Sequence, residues 1–239
     1  MKISPEVCVS CLECIDFCPM NCIIEGDETV YIDQDECVEC GVCLNTGVCQ
    51  VDAIYRPEEV FVYPRAIRMQ MSDPGAEHPD FKAWGRGTEE AKTNDVTGKF
   101  DHAEYGMLFE FGRPVTGTRL SEVQKVTTAV CNLGLEILKE NPVFGLLEDK
   151  QAGLIKKEFL PEKVLSIILE IRFSADRLTE VVNEVLPLLD DVDTVVSVGL
   201  VTRFDSKGTL PVIKDLQDLN VHVRPNAKIN VGLGRPLVK

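Results

Sequence analysis

Nine of the ten cysteines lie within the first 49 residues, and eight of these nine form two runs of nearly equal spacing. The first run contains Cys8, Cys11, Cys14 and Cys18, and the second contains Cys37, Cys40, Cys43 and Cys49. Thiolates are soft ligands that suit zinc and iron–sulfur clusters. Because no apolar signal segment precedes them, we expect these cysteines to bind metal rather than to form disulfides.

The spacing within each run indicates the kind of metal centre. A zinc site commonly takes its four ligands as two separated pairs. Three cysteines spaced by two residues instead surround one iron–sulfur cubane, and in two-cluster chains the fourth cysteine of each run ligates the other cluster. The sequence therefore predicts two [4Fe-4S] clusters rather than zinc or disulfides. The predicted ligands are Cys8, Cys11, Cys14 and Cys49 for cluster 1, and Cys18, Cys37, Cys40 and Cys43 for cluster 2.

The two runs are an internal duplication, since a shift of 29 residues superposes the first three cysteines of each. The second run departs from the first after Cys43, where five residues instead of three precede the fourth cysteine, and Gln50 replaces proline. We predict that Cys49 still ligates and that the insertion Asn45-Thr46-Gly47 bulges outward. The alternative is a missing fourth thiolate or an altered potential. Cys22 is interpreted as a small buried thiol, with a substitute ligand or a redox-labile thiol as alternatives.

Four short segments add to the cysteine spacing: Cys18-Pro19-Met20-Asn21, Ile32-Asp33, Cys40-Gly41-Val42-Cys43 and Val51-Asp52-Ala53-Ile54. With these segments, residues 1–57 resemble the two-cluster bacterial ferredoxins. The resemblance implies two hairpin-like halves related by a pseudo-twofold axis, each with a short helix after its last cysteine. The expected chemistry is outer-sphere electron transfer, in which charge, burial and hydrogen bonds to sulfur adjust the potentials. Gly41 is predicted to let the backbone approach inorganic sulfide.

The acidity of the chain is concentrated beside these cysteines. Residues 1–60 hold 13 acidic residues against Lys2 and Arg56, a net charge of −11 out of −14 for the whole chain. This charge disfavours nucleic acid and anionic membranes as partners. It predicts that the partner is a redox protein with a basic docking patch. No apolar run approaches the roughly 18 residues of a membrane span, and we predict a cytoplasmic protein.

Residues 58–103 are rich in proline and glycine and are predicted to form an ordered irregular arm. Only Val60–Tyr63 and Ala66–Met69 resemble strands in it. The arm is expected to wrap the C-terminal domain or a second subunit, so a homo-oligomer is predicted through the arm or that domain.

A polar stretch of the arm, Trp84 to Gly98, has two interpretations. It forms turns held by Trp84, or it forms a ligand or partner site. The candidate residues of that site are Arg86, Glu89, Lys92, Asn94 and Arg113. Together with Gly112-Arg113-Pro114, this stretch resembles the ferredoxin-containing 6-hydroxynicotinate reductase group. The resemblance implies delivery of low-potential electrons to a heteroaromatic ring in anaerobic metabolism, with a flavin on a partner and none placed in this chain.

Residues 104–239 alternate between strand and helix patterns and predict an α+β sandwich with an open sheet and helices on one face. Ser121 with Gln124 predicts a capping box at a helix start. The predicted strands are Tyr105–Phe111, Val164–Phe173, Thr194–Thr202, Val221–Val223 and Lys228–Val231, with a helix over Asp176–Leu189.

The sequence as a whole predicts a ferredoxin-like domain over 1–57, an arm over 58–103 and an α+β domain over 104–239. His78, His102 and His222 lie apart, so no histidine-based nucleophilic site is predicted. We interpret the chain as an electron-transfer subunit of an oxidoreductase rather than a stand-alone enzyme. The alternatives are a reductase component acting on a heteroaromatic or flavin-bound substrate, and an iron–sulfur redox sensor.

Overall fold

A computed structural model describes residues 1–77, 100–113 and 116–224. The stretch from Trp84 to Gly98 and the predicted strand Lys228–Val231 lie outside these described residues. Across the described ranges, every helix is too short or too polar to cross a membrane.

The N-terminal part, residues 1–77, consists of short strands and helical turns. The strands are β1 (Lys2–Ile3), β2 (Ile23–Glu25), β3 (Val30–Ile32) and β4 (Ile54–Tyr55), and the helices are α1 (Val42–Asn45) and α2 (Ala66–Ser72). Antiparallel pairs form between β1 and β4 and between β2 and β3. Each pair joins one strand of the first half of the cysteine region to one strand of the second half, so the two halves are not the separate hairpins that the family resemblance implied.

The helical turns of the two halves lie before the last cysteine of each run, and not after it as the family resemblance implied. The 3-10 helix Ile15–Phe17 precedes Cys18, and α1 precedes Cys49. After each of these cysteines the chain turns through a left-handed residue and enters β2 or β4 within a few residues. This short connection leaves no length for a helix.

The strand-like interpretation of residues 60–69 is wrong, because a 3-10 helix (Glu58–Phe61) and α2 occupy this stretch. Ile67 and Met71 lie four residues apart on one face of α2 and are buried in the core of the C-terminal part. Short apolar runs do not distinguish a strand from a buried helix. The first third of the predicted irregular arm is therefore largely helical.

The C-terminal part, residues 100–224, combines two short strand pairs, β6 with β10 and β8 with β9, with a larger sheet. Its strands are β5 (Glu104–Phe111), β6 (Thr118–Arg119), β7 (Glu136–Ile137), β8 (Leu147–Asp149), β9 (Leu154–Ile155), β10 (Lys163–Val164), β11 (Ile167–Ser174) and β12 (Val196–Val201). Its helices are α3 (Leu120–Asn132), α4 (Leu178–Val185) and α5 (Val212–Asp218). The described part is thus mixed helix and open sheet, as predicted.

Four strands form an antiparallel sheet in the order β12-β5-β11-β7. Phe109 of β5 and Leu169 of β11 are buried on one face of this sheet, together with Val126 of α3 and Val181 of α4. The predicted strand at Val221–Val223 is absent from the described residues, where this stretch carries no regular structure.

Helix α3 begins at Leu120, so the predicted capping box at Ser121 is wrong. The backbone N–H groups of Leu120 and Ser121 donate to the carbonyl oxygens of Glu162 and Leu160, both at 3.0 Å. Gln124 accepts a hydrogen bond from the backbone N–H of Ile155 at 2.9 Å. A neighbouring segment therefore satisfies the first N–H groups of the helix, which a side-chain cap would otherwise do.

Candidate metal centre

Two cavities lie inside the N-terminal part, and each is lined by cysteines and aliphatic side chains. Cavity 1 is lined by Cys8, Cys11, Cys14 and Cys49. Cavity 2 is lined by Cys18, Cys22, Cys37, Cys40 and Cys43. The cysteines predicted for cluster 1 and for cluster 2 thus surround separate cavities, each with the fourth cysteine of the other run.

The backbone repeats the internal duplication. Ser10 and Glu39, which are 29 residues apart, have left-handed φ values of 53° and 57°. Leu12 and Gly41, also 29 residues apart, have φ values of 67° and 74°. Left-handed residues within such loops turn successive N–H groups toward a common centre and favour a bound anion. Both ligand loops therefore have the same conformation, although only one of these four residues is glycine.

The fourth cysteine of each run also has the same local setting. The N–H of Cys22 donates to Cys18 Sγ at 3.3 Å, and the N–H of Ala53 donates to Cys49 Sγ at 3.2 Å. Each donor follows its cysteine by four residues. The insertion Asn45-Thr46-Gly47 is exposed, as predicted. The longer second run therefore leaves the Cys49 thiol in an environment like that of Cys18.

Cys22 is a buried thiol that lines cavity 2, 3.4 Å from Cys18 Sγ. Its hydrogen bonds to the Cys18 and Cys37 sulfurs raise the pKa of Cys22 and lower the pKa values of Cys18 and Cys37. Burial raises the pKa of Cys43 to about 12. In this cavity the Cys22 thiol thus favours the thiolate form of Cys18 and Cys37, whereas burial opposes the thiolate form of Cys43.

Arg68 of α2 anchors the second ligand loop to the C-terminal part. Its Nη1 donates to the backbone carbonyls of Gln34, Asp35 and Cys37 at 3.0, 2.9 and 2.8 Å. Its Nε forms an ion pair with Glu162, and the side chains of both partners are largely buried. A guanidinium presents several donors in a fixed plane, which suits this combination of carbonyls and one carboxylate.

Gly41 lies beneath a second ion pair, in which Arg56 Nη2 donates to Asp73 Oδ2 at 2.6 Å. A Cβ on Gly41 would lie 2.8 Å from Arg56 Nη2 and 3.1 Å from Asp73 Oδ2. Gly41 lines cavity 2, and the Arg56–Asp73 pair leaves no room for a Cβ on its outer side. Its approach to inorganic sulfide stays a prediction. In addition, Arg65 binds the fully buried Glu39 at 2.5 Å.

The antiparallel pair of β6 and β10 completes the cover of this side. Glu36 pairs with Arg119 at 2.8 Å and with Lys163, whose hydrogen bond holds the pKa of the Glu36 carboxyl below its ordinary value. Met20, which lines cavity 2, packs on Gly117, because a Cβ there would lie 2.7 Å from Met20 Cε. Sequence reasoning missed these bridging residues; the only signal was an arginine inside the apolar stretch that forms α2.

The predicted ligand site around Arg113 is described only in part. Its members Arg86, Glu89, Lys92 and Asn94 lie outside the described residues. Arg113 Nε lies 3.3 Å from Ser166 Oγ, and its Nη1 lies 3.5 Å from Glu110 Oε1. Gly112 has φ of 79° directly after β5, as expected for a turn at a strand end.

The remaining candidate groups are dispersed. His102 and His222 are both exposed. Cys131 is half-buried, and burial raises its pKa. Within the described ranges, no three His, Cys, Asp or Glu side chains are arranged to hold a single metal ion. The thiols surround apolar cavities instead, a donor set and lining that fit an iron–sulfur cluster.

Residues 1–57 are a bacterial-type ferredoxin domain, of the iron–sulfur class. A ferredoxin of Saccharopolyspora erythraea is 49% identical over 57 residues, which are 23% of this chain and 52% of the relative. A ferredoxin of Streptomyces griseus is 46% identical over 66 residues, which are 26% of this chain and 61% of the relative. A protein named Ferredoxin 7Fe of Hydrogenibacillus schlegelii is 47% identical over 47 residues, 20% of this chain and 58% of the relative.

The chain therefore spans between half and two thirds of the length of these relatives. No family model matches the chain, and no solved structure matches it. These relatives match only the N-terminal quarter of the chain, so they do not show the resemblance to the 6-hydroxynicotinate reductase group.

Proposed function

We propose that this protein carries low-potential electrons through two [4Fe-4S] clusters to a partner redox enzyme. The observation that supports this function most strongly is the division of the eight predicted ligands between two cavities, four thiols to each. The duplicated loop conformation and the matching N–H bonds to Cys18 and Cys49 support it further.

When bound, such clusters supply reversible one-electron transfer. The residues of the chain hold them and adjust their potentials. Thiolates ligate the iron, aliphatic side chains such as Ile23 and Ile54 exclude water, and backbone N–H groups of Ser10, Cys22 and Ala53 donate to sulfur. These donors stabilise the more negative, reduced state, whereas the −11 charge of residues 1–60 opposes reduction.

A second candidate is an electron carrier with fewer iron atoms than the eight of two [4Fe-4S] clusters, because one relative is named Ferredoxin 7Fe. The complete run Cys8, Cys11, Cys14 with Cys49 around cavity 1 favours two four-iron clusters instead. The other proposals, a reductase component with a flavin-bearing partner, a redox sensor, a homo-oligomer and a cytoplasmic location, follow from the sequence alone.

The test is iron and acid-labile sulfide per chain after anaerobic purification, with electron paramagnetic resonance spectra of the oxidised and reduced protein. About eight iron atoms, a silent oxidised state and a coupled signal after reduction are expected for two [4Fe-4S] clusters. A signal already present in the oxidised protein indicates a three-iron cluster and contradicts the proposal. About four iron atoms show that one cavity holds no stable cluster.

A further inference from the structure

The two cavities differ in their access to solvent. Among the side chains that line cavity 1, Val9, Leu12 and Val51 are 64%, 37% and 38% exposed, and Cys11 is exposed as well. Every residue that lines cavity 2 is buried or half-buried. The wall of cavity 1 is therefore one side chain thick over part of its area.

The chain itself covers cavity 2. Helix α2 binds the second ligand loop through Arg68, and the antiparallel pair of β6 and β10 binds Glu36, with the adjacent Gly117 placed against Met20. A partner protein is excluded from this side by the same segments. Cavity 1 has no such cover within the described residues, since Pro5–Val7, Val9–Glu13 and Gln50–Asp52 are all exposed.

Ion pairing differs around the two cavities. Near cavity 2, Glu36, Glu39, Asp73 and Glu162 each form an ion pair with Arg or Lys, whereas Asp33 and Asp35 before Cys37 form none among the described residues. Near cavity 1, Glu6, Glu13 and Asp52 are exposed and form no ion pair among the residues that the structure describes. Exposed negative charge that no described cation neutralises therefore lies beside the thin wall of cavity 1.

We propose that the surface formed by Pro5–Val7, Val9–Glu13 and Gln50–Asp52, here called the cavity 1 face, docks a redox protein whose binding site has an apolar centre and a basic rim. The exposed Val7, Val9, Leu12 and Val51 provide the apolar centre of the face, and Glu6, Glu13 and Asp52 provide its acidic rim. This arrangement matches the anatomy of protein interfaces, with an apolar core inside a polar rim, and complementary charge accelerates encounter. The inference rests on the proposed function, because it names the surface through which that function operates.

The test measures the affinity of the iron-loaded protein for cytochrome c, used as a basic redox protein, by calorimetry at low ionic strength. Glu6→Lys with Glu13→Lys reverses two charges on the cavity 1 face. Glu148→Lys with Glu158→Lys is the matched control, since both residues are exposed in the C-terminal part and the change in net charge is the same. We expect the first pair to weaken binding about tenfold and the control pair about twofold or less.

An equal loss of affinity in both pairs shows that only overall charge matters and overturns the inference, as does an unchanged affinity in the first pair. Hydrogen exchange of the unsubstituted protein provides a measurement that needs no variant. Cytochrome c is expected to protect amides in residues 5–13 and 50–52. Protection confined to any other surface contradicts the cavity 1 face. Iron content is measured on the same samples, so failure of the two-cluster proposal is distinguished from failure of the docking surface.

Discussion

The two cysteine runs share one backbone conformation and differ in what lies outside it. Leu12 and Gly41 occupy duplicated positions with φ of 67° and 74°, yet Leu12 is exposed and Gly41 lies beneath Arg56 and Asp73. A side chain fits at the first position, where Leu12 lies between cavity 1 and solvent, and it is excluded at the second because charged groups cover it. The duplication thus repeats the ligand loop, and the later chain determines which copy meets solvent.

The largest effect is expected when one cavity loses a ligand and the other does not. Cys49→Ser replaces a thiolate by a hydroxyl that stays protonated, so we expect iron to fall from about eight to about four atoms per chain. Cys131→Ser removes a thiol far from both runs in the sequence and is expected to keep all the iron. If Cys49→Ser retains the full iron content, the longer second run does not ligate through Cys49.

The cover of cavity 2 is tested by Arg68→Met. This change leaves the Glu162 carboxylate and three backbone carbonyls without their donor, and the loss of one partner of a buried ion pair costs about 3–5 kcal/mol. The matched change Arg177→Met removes the solvent-exposed pair with Glu180 and one bond to the Leu133 carbonyl, and it is expected to lower the stability much less than Arg68→Met. Urea unfolding of the iron-loaded protein measures both, and equal losses contradict a special role of Arg68.

The duplicated positions Gly41 and Leu12 are compared by adding a Cβ to Gly41 and by shortening the side chain of Leu12. Gly41→Ala is expected to lower the free energy of unfolding for two reasons. The left-handed backbone costs a non-glycine residue about 1–2 kcal/mol, and the added Cβ displaces the Arg56–Asp73 pair. Leu12→Ala keeps the Cβ on the same backbone and is expected to change the free energy of unfolding by about 0.5 kcal/mol. A larger loss for Leu12→Ala shows that the uncovered loop is the more constrained one.

The smallest effect is expected from Glu36→Gln, which removes the charge that binds Arg119 and Lys163. These three side chains are between 15% and 38% exposed, so solvent screens the interaction and we expect a loss of about 1 kcal/mol or less. Hydrogen exchange is expected to accelerate in residues 37–43 beside cavity 2 and to stay constant in residues 8–14. Faster exchange in both loops means that the covering pair of β6 and β10 does not act on one cavity alone.

The sequence predicted what depends on local spacing. The cysteine intervals indicated how the thiols divide between two cavities, and the long apolar run at Tyr105–Phe111 indicated β5. The interaction of Arg68 with Glu162 was not predictable, because the partners are 94 residues apart and no local pattern records their contact. Similarly, the first N–H groups of α3 bind carbonyls of a distant segment, so the local cap pattern at Ser121 was misleading.

The way in which Arg68 binds the second ligand loop affects how the protein can evolve. It contacts main-chain oxygens of Gln34, Asp35 and Cys37, which every amino acid supplies. Mutational drift at an exposed position such as Asp35 therefore leaves this anchor intact, whereas an insertion or deletion in the loop would break it. Along this loop, natural selection is expected to conserve length more strictly than residue identity.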